Sequence, residues 1–345
     1  MKAAVIHAAR DLRLDERPDP QIADNEVQVA FRAGGICGSD LSYFGKGRVG
    51  DFALKEPMVL GHEIAGVVEC VGAAVKGLAV GDHVAVNPSR PCLSCDYCRA
   101  GRSNLCRDMR FFGSAALYPH VQGAFSETFA CRADQCVRVP KHMAFRTAAM
   151  AEPLAVAIHG VRRAGDLAGR KVLIAGAGPI GLLLAIAARR VGASFIAITD
   201  IVDAPLEVAR AAGVDETINV ATDPEQLSRY EADKGFFDAA LEATGVPQAL
   251  ASLFKVVRPG GRVVQLGMMP PGDVPVPANM LMAREIDFAG AFRFSGEFAI
   301  AVDWLARALV DVAPVLSADL PMSRLNEAFA LAADRTRALK VHLHF

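Results

Sequence analysis

Two glycine-rich segments of the chain carry side chains that could share one metal ion. The first contains Cys37, and the second contains the adjacent pair His62 and Glu63, which begins 25 residues later. A thiolate, an imidazole and a carboxylate can form a three-ligand zinc site that leaves one position open for a substrate. The same residues are also consistent with a buried cysteine and a hydrogen-bonded histidine that share no ion. The rest of the chain has to distinguish these interpretations.

A second group consists of four of the eight cysteines, placed within fifteen residues of one another. Its members are Cys92, Cys95, Cys98 and Cys106. Four thiolates at this spacing can surround one zinc ion tetrahedrally and close it to substrate, so the group predicts a structural metal. An iron–sulfur cluster is the chemical alternative. Disulfides are not favoured, because the apolar run near the N-terminus is too short for a secretory signal.

A glycine-rich motif, GAGPIG, follows an apolar strand and opens a helix. Its members are Gly176, Ala177, Gly178, Pro179, Ile180 and Gly181. The glycines would make a tight turn, admit a pyrophosphate to the backbone at the helix N-terminus and let helix and strand pack closely. Asp200, 24 residues after Gly176, would bind the adenosine ribose and repel a 2′-phosphate, which favours NAD over NADP. A glycine turn without a ligand is the alternative.

Composition limits the classes of function that remain. The chain has 345 residues, 52% hydrophobic and 22% charged, with a formal net charge of −1, and it predicts two folded domains. No basic block is present, so a nucleic-acid or anionic-membrane surface is not expected. The uncharged stretch between Lys171 and Arg189 contains three glycines and a proline, which indicates a strand, a turn and a buried helix rather than a membrane span. We therefore expect a cytoplasmic location.

The elements that position these residues change character along the chain. Up to about residue 130, short strands alternate with Gly, Pro and Asp turns, which is typical of a β-rich, barrel-like unit. Between residues 170 and about 285, strands and helices alternate, which predicts a parallel, doubly wound sheet. Thr147–Gly165 is predicted to be a connecting helix. The tail is predicted to contain an amphipathic helix, Gly296–Val310, and a final strand, Ala338–Phe345.

A nicotinamide-binding unit in the same chain would explain the function of an open zinc site. The metal would bind a substrate hydroxyl, lower its pKa and stabilise the developing negative charge while a hydride leaves. Glu152, at the start of the connecting helix, could be a fourth ligand or the partner of a ligand. It could equally be an acid in the first helical turn beside Pro153.

Together these residues resemble the zinc-dependent medium-chain dehydrogenases, in particular the sorbitol (polyol) dehydrogenase branch. The GHE-x2-G-x5-G-x2-V pattern from Gly61 to Val75, the four-cysteine segment and GAGPIG follow in the expected order over essentially the whole chain. The resemblance implies an α/β protein. Its GroES-like β-rich catalytic domain would cover residues 1–148, with a structural zinc lobe at about 88–110, and resume at 289–345. A Rossmann NAD-binding domain would cover residues 149–288. It also implies a homodimer or homotetramer that acts on a small molecule.

The resemblance assigns roles to individual residues. Cys37, His62 and Glu63 would hold the catalytic zinc, with Glu152 bound to it or beside it. Ser39 would take the substrate proton, Tyr43 would line the pocket, and Arg293 would lie near the substrate or the cofactor ribose. Thr244 and Leu266 would line the nicotinamide side.

Two positions depart from the family pattern. Ser42 stands where many relatives have a histidine that passes the proton to solvent, so water or the ribose hydroxyl would substitute. Pro205 stands where relatives often have an arginine near the adenine.

Three stretches, Arg107–Ala115, Ala151–His159 and Gly290–Phe294, are most similar to members of the branch that oxidise L-idonate. We therefore expect reversible oxidation of L-idonate at its C5 hydroxyl to 5-keto-D-gluconate, with a sorbitol or xylitol dehydrogenase as the alternative. A carboxylate substrate needs a cation, for which Arg110 is the first candidate and His120 and Arg48 are others. A solvated Arg110 is the competing interpretation. A non-catalytic zinc- and NAD-binding protein is a further alternative, against which the three zinc ligands and Ser39 argue.

Overall fold

The computed structural model describes residues 1–345, and its first part is built mainly from short strands. These strands are β1 Lys2–Ala8, β2 Asp11–Glu16, β3 Glu26–Gly35, β4 Arg48–Val49, β5 Phe52–Ala53, β6 Met58–Val59, β7 Glu63–Val71, β8 His83–Val86, β9 Ser89–Arg90, β10 Arg110–Phe111, β11 Thr128–Arg132 and β12 Cys136–Arg138. Three helices accompany them: α1 Gly38–Lys46, α2 Asp96–Arg99 and α3 Phe145–Ala149. The strands confirm the predicted β-rich unit.

The second part alternates helix and strand. Its elements are α4 Ala151–Ala164, β13 Lys171–Ala175, α5 Pro179–Arg190, β14 Phe195–Asp200, α6 Asp203–Ala211, β15 Glu216–Asn219, α7 Pro224–Ser228, β16 Phe237–Glu242, α8 Pro247–Val256, β17 Val257–Gln265, α9 Ala278–Arg284 and β18 Asp287–Gly290. The six strands form one parallel sheet in the order β15-β14-β13-β16-β17-β18. Helices cover both faces, so the strands are apolar along most of their length. The predicted doubly wound sheet is confirmed.

The C-terminal segment returns to the first part of the chain. It contains α10 Glu297–Ala306, β19 Leu316–Pro321, α11 Leu325–Ala333 and β20 Lys340–His344. Strand β20 pairs antiparallel with β3, so that His342 faces Gly35. It extends a seven-stranded sheet in which six strands follow the order β12-β8-β7-β3-β20-β19 and β11 also pairs with β3. The last strand of the chain therefore lies directly beside the Cys37 turn.

The two largest apolar cores lie against the two largest sheets. One contains Phe31, Phe125 and Phe329 within the β-rich unit. The other contains the inner faces of α4 and α5, and α10 packs against it through Phe298. Residues 289–345 thus contribute to both cores, whereas our predicted division assigns all of them to the catalytic domain. The division at residues 148 and 288 stays a prediction.

The helices of this fold are short. None is both long and apolar enough to cross a membrane. The uncharged stretch after Lys171 is divided between β13, a glycine turn and the buried helix α5.

Candidate active site

Cys37, His62 and Glu63 come together where helix α1 and strand β7 begin. Cys37 is the residue immediately before α1. His62 and Glu63 lie at the start of β7, and both are buried. The sulfur, nitrogen and oxygen donors of the three lie within 4.8 Å of one another.

Two glycines make room for this arrangement. Gly61 has φ +96°, and a Cβ atom there would lie 2.2 Å from the ring of Phe125. A Cβ atom on Gly35 would lie 2.0 Å from Oε2 of Glu63. Any larger residue at either position would displace the neighbouring side chain, so both positions require glycine for this arrangement.

Asp40, which the sequence analysis did not single out, connects the two metal-binding turns. Its Oδ2 accepts a hydrogen bond from the backbone N–H of Cys37 at 2.9 Å, and its Oδ1 lies 3.8 Å from Nδ1 of His62. Burial raises the pKa of Asp40, whereas the neighbouring His62 opposes that shift. At 3.8 Å the two atoms are too far apart for a hydrogen bond, so Asp40 acts on the imidazole through its charge.

Lys340 was also missed, and it lies on β20 directly behind Glu63. Its Nζ donates to both carboxylate oxygens, at 2.7 and 2.8 Å, and to the carbonyl of Ile36 at 3.1 Å. Burial lowers the pKa of Lys340, but Glu63 and Cys37 outweigh this effect and raise it above its usual value. The ammonium group therefore stays charged and orients the carboxylate.

The electrostatic character of the cluster suits a cation. Burial lowers the pKa of His62, but the charges of Asp40 and Cys37 outweigh burial and raise it to about 10. Such a shift shows that negative charge is concentrated around the imidazole. Nδ1 of His62 has no hydrogen-bond partner although it is buried. A soft thiolate, an imidazole and a carboxylate in this field fit Zn²⁺.

A cavity of about 230 Å³ opens in front of this cluster. Of the residues predicted to be functional, it is lined by Cys37, Ser39, Tyr43, His62, Glu63, Glu152, Ile180 and Arg293. Residues from the β-rich part and from the part with the parallel sheet thus meet in one cavity. Tyr43 is held in place because its hydroxyl oxygen accepts a hydrogen bond from the backbone N–H of Ala115 at 2.9 Å.

Glu152 and Arg293 both line this cavity, and the charge of each acts on the other. Burial raises the pKa of Glu152, His62 opposes that shift and Glu63 adds to it, and the resulting pKa is about 7. The Glu152 carboxylate does not join the compact group of three donors. Burial lowers the pKa of Arg293 to about 10, and its guanidinium stacks on Phe111, 4.1 Å from the ring centre.

The structure does not bring Arg110 into the cavity. Arg110 and Phe111 are neighbours on β10, and successive strand residues face opposite sides. Phe111 points into the cavity, so Arg110 points away from it and is exposed. Arg110 does not line this cavity, so the geometry does not support the predicted contact between Arg110 and the substrate, which stays a prediction. His120 is unavailable as well, because its Nε2 accepts from the backbone N–H of Lys55 at 2.8 Å.

The four-cysteine group forms a second candidate metal site. All four sulfur atoms lie within 4.8 Å of one another, and those of Cys92 and Cys98 are 4.0 Å apart. Four sulfurs placed about 2.3 Å from a tetrahedral zinc are about 3.8 Å apart, whereas bonded sulfurs are about 2.05 Å apart. Hydrogen bonds from Ser94 and the Cys95 N–H lower the pKa of Cys92 to about 6. The geometry fits a closed tetrathiolate metal site.

The four-cysteine segment supports the loop that carries Arg293. The side chain of Asn104 donates to the carbonyl of Phe292 at 3.0 Å, and Ser103 and Ser295 join their hydroxyl groups at 2.8 Å. Arg293 has φ +53°, which is an uncommon conformation for a non-glycine residue. These contacts from another part of the chain hold that conformation.

The GAGPIG motif forms the strand–turn–helix that was predicted. Gly176 has φ +100°, and a Cβ atom on Gly181 would lie 1.8 Å from the carbonyl oxygen of Gly176. A Cβ atom on Gly178, in contrast, would meet nothing within 4 Å. Open space at Gly178 and Pro179 at the helix N-terminus leave the N–H groups of α5 accessible, so the turn fits a pyrophosphate.

The remaining predicted cofactor residues follow the carboxyl ends of strands. Asp200 ends β14, and its Oδ2 accepts from the N–H of Ala177 within the glycine turn at 2.8 Å. Thr244 follows β16, and its N–H donates to Glu242 at 2.6 Å. Leu266 follows β17, where a Cβ atom on Gly160 of α4 would lie 2.6 Å from its side chain. Leu266 lines an adjoining groove rather than the metal-facing cavity.

Comparison with known protein families places these features in context. Residues 23–141 match the family "Alcohol dehydrogenase GroES-like domain", and residues 179–307 match "Zinc-binding dehydrogenase". The L-idonate 5-dehydrogenase (NAD(P)(+)) of Escherichia coli (strain K12) is 42% identical over 322 residues, covering 93% of this chain and 92% of that protein. A sorbitol dehydrogenase of Bacillus subtilis (strain 168) is 34% identical, covering 100% of this chain and 97% of that protein.

A solved structure is also similar to this chain over its whole length. The crystal structure of the L-idonate 5-dehydrogenase from Escherichia coli str. K-12 substr. MG1655 matches with a TM-score of 0.95 at 40% sequence identity. The match covers 100% of this chain and 98% of that chain.

Proposed function

The chain belongs to the zinc-dependent medium-chain dehydrogenases, in the branch of the sorbitol dehydrogenases and close to L-idonate 5-dehydrogenase, and we propose that it oxidises L-idonate at C5. The product would be 5-keto-D-gluconate, and the hydride acceptor NAD. Family membership itself makes the protein an alcohol or polyol dehydrogenase that acts on small molecules with an NAD(P) cofactor. The choice of alcohol is the proposal.

Cys37, His62 and Glu63 would hold the catalytic metal, because their donor atoms are the compact group of three. Bound zinc supplies a Lewis acid that lowers the pKa of a substrate hydroxyl. Ser39 lines the same cavity and would accept the hydroxyl proton. Ser42 does not continue this route, since its hydroxyl donates to the carbonyl of Gly38 at 2.9 Å. Water or the cofactor ribose would take the proton from Ser39.

The remaining cavity residues would orient the alcohol and exclude water. Arg293 offers a charged donor close to the metal ligands, and its guanidinium lies over the rings of Phe111 and Phe292. Its N–H groups would bind substrate hydroxyl oxygens. Phe111, Phe292 and Met268 supply apolar walls.

The observation that carries the sugar-acid proposal is a second pocket next to the catalytic cavity. The two share Val49 and Met268, and the outer pocket of about 460 Å³ also contains Lys46 and Arg48. In L-idonate the carboxylate is four carbon–carbon bonds from C5. An acid bound with C5 at the metal would therefore extend its carboxylate towards these two cations.

Steady-state kinetics with L-idonate, sorbitol and xylitol test this proposal. We expect the highest kcat/KM for L-idonate, and we expect Arg48→Gln and Lys46→Gln to lower that value about tenfold while leaving sorbitol nearly unchanged. Arg110→Gln is the matched control, because Arg110 is a basic residue on the same half of the chain whose side chain lies outside the cavity. A higher kcat/KM for sorbitol would show that the protein is a polyol dehydrogenase instead.

Four further parts complete the proposal. Asp200 favours NAD, although the name of the Escherichia coli relative includes NADP as well. Two zinc ions per chain are proposed from the two clusters of donors. A homodimer or homotetramer and a cytoplasmic location stay predictions.

A further inference from the structure

The hydrogen bonds of Asp200 leave little room for a ribose. Its Oδ1 accepts from the backbone N–H groups of Ile201 and Val202, at 2.8 and 3.1 Å. Its Oδ2 accepts from the N–H of Ala177 at 2.8 Å and from the guanidinium of Arg335. An ionised carboxylate offers about four lone-pair positions, and all of them are taken here.

Arg335 reaches Asp200 from the other half of the chain. It lies in the turn between α11 and β20, 135 residues from Asp200. The Asp200 side chain is 3% exposed, whereas that of Arg335 is 46% exposed. Asp200 is thus fixed in the sheet, and Arg335 is the one partner that can leave without breaking the backbone structure.

This ion pair changes what Asp200 can do at the adenosine end of a dinucleotide. A free carboxylate selects NAD because it binds the ribose hydroxyls and repels a 2′-phosphate. When Arg335 is paired with it, the charge is largely balanced and the repulsion is weakened. Position 205 is a proline in α6, so that helix provides no arginine of its own at this point.

We propose that Arg335 determines the cofactor selectivity of this protein and lets it bind both NAD and NADP. With NAD, the ribose hydroxyls take the place of Arg335 on Asp200. With NADP, the guanidinium turns from Asp200 to the 2′-phosphate, which it can contact through two parallel N–H donors. The inference rests on the dinucleotide part of the proposed function and not on the choice of alcohol.

Binding measurements without any alcohol test this inference. Zinc-loaded protein is titrated with NADH and with NADPH, and the two Kd values are compared for the native protein and for Arg335→Ala. We expect native Kd values within about tenfold of each other, and we expect Arg335→Ala to weaken NADPH binding by about tenfold or more, with NADH changed less than about threefold. Arg335→Lys should retain part of the NADPH affinity. Arg337→Ala, two residues away and exposed, is the matched control and should change neither Kd.

The outcomes separate selectivity from a merely structural role. The inference would be refuted if Arg335→Ala raised the Kd values for NADH and NADPH equally, or left the Kd for NADPH unchanged. It would also be refuted if the native protein did not bind NADPH. If Arg335→Ala does not fold, Arg335→Gln provides the same comparison with a side chain of similar length. Native protein that binds neither cofactor would instead refute the dinucleotide part of the proposed function.

Discussion

Lys340 and Glu63 form a buried ion pair in which one ammonium nitrogen contacts both carboxylate oxygens, at 2.7 and 2.8 Å. The pair lies directly behind the three candidate zinc ligands. A thiolate and a carboxylate alone would neutralise the charge of Zn²⁺. Lys340 would offset the charge of Glu63, so bound zinc would keep more of its attraction for an alcohol oxygen that is losing its proton.

Replacing Lys340 should destabilise the metal-free protein more than the zinc-loaded protein. Lys340→Met leaves the Glu63 carboxylate buried without a cation, which typically costs about 3–5 kcal/mol. Bound zinc would supply the missing positive charge and reduce that loss. Urea unfolding with and without chelator, for native and variant protein, measures both losses. Equal losses under the two conditions would show that Glu63 does not contact the metal.

Variants that each lack one ligand should distinguish the two metal sites by zinc content and stability. Cys37→Ser is expected to remove one of the two zinc ions and nearly all alcohol oxidation, because it deletes a ligand of the open cluster, while changing Tm only slightly. Cys95→Ser is expected to remove the other ion and lower Tm, since a structural site contributes folding energy. Metal analysis and thermal unfolding measure both effects. Oxidation that survives Cys37→Ser or chelation would refute the zinc mechanism.

Sequence reasoning succeeded where the information is local. Strands Lys171–Ala175 and Phe195–Asp200 lie where alternating strands and helices were predicted, because each is a short, mainly apolar run. The three open-site donors and the four cysteines were each predicted to converge, and their donor atoms do so. The spacing of ligand residues within one segment, or between two glycine-rich segments, is enough to predict such metal-binding groups.

The sequence did not reveal residues whose partners are distant along the chain or whose orientation depends on strand pairing. Lys340 is 277 residues from Glu63, and only the pairing of β20 with β3 brings them together. Arg110 was chosen for its charge, and the alternation of side chains along β10 turns it outward. Asp40 had a usable signal, since an acid three residues after Cys37 in the first turn of a helix commonly caps that helix.

The four-cysteine segment should affect the substrate through Arg293. Asn104→Ala removes the hydrogen bond to the carbonyl of Phe292, so the Arg293 loop loses a support worth about 0.5–1.5 kcal/mol. We expect KM for the alcohol to rise by about two- to tenfold, with an unchanged Kd for NADH. Arg99→Ala, on the exposed side of the same segment, is the control. An unchanged KM would show that the segment does not position Arg293.

His342 should make the stability of the fold depend on pH. It is fully buried on β20, and neither ring nitrogen has a hydrogen-bond partner. Burial, with a contribution from Lys340 and Arg146, lowers its pKa to about 3. The unfolded chain, in which a histidine has a pKa of about 6.5, therefore binds more protons below that pH, and the folded state loses stability as the pH falls.

Replacing His342 with leucine should remove this dependence. We expect His342→Leu to be more stable than native protein by about 1–3 kcal/mol at pH 8, because two unpaired polar atoms leave the core. At pH 5 the difference should grow by about 2 kcal/mol, since native protein must keep the imidazole neutral at 1.5 pH units below its unfolded pKa. Urea unfolding at the two pH values measures this, with the exposed His142→Gln as control. The same difference at both pH values would mean that His342 is protonated in the folded protein, where Glu63 is the nearby acid that could hold the charge.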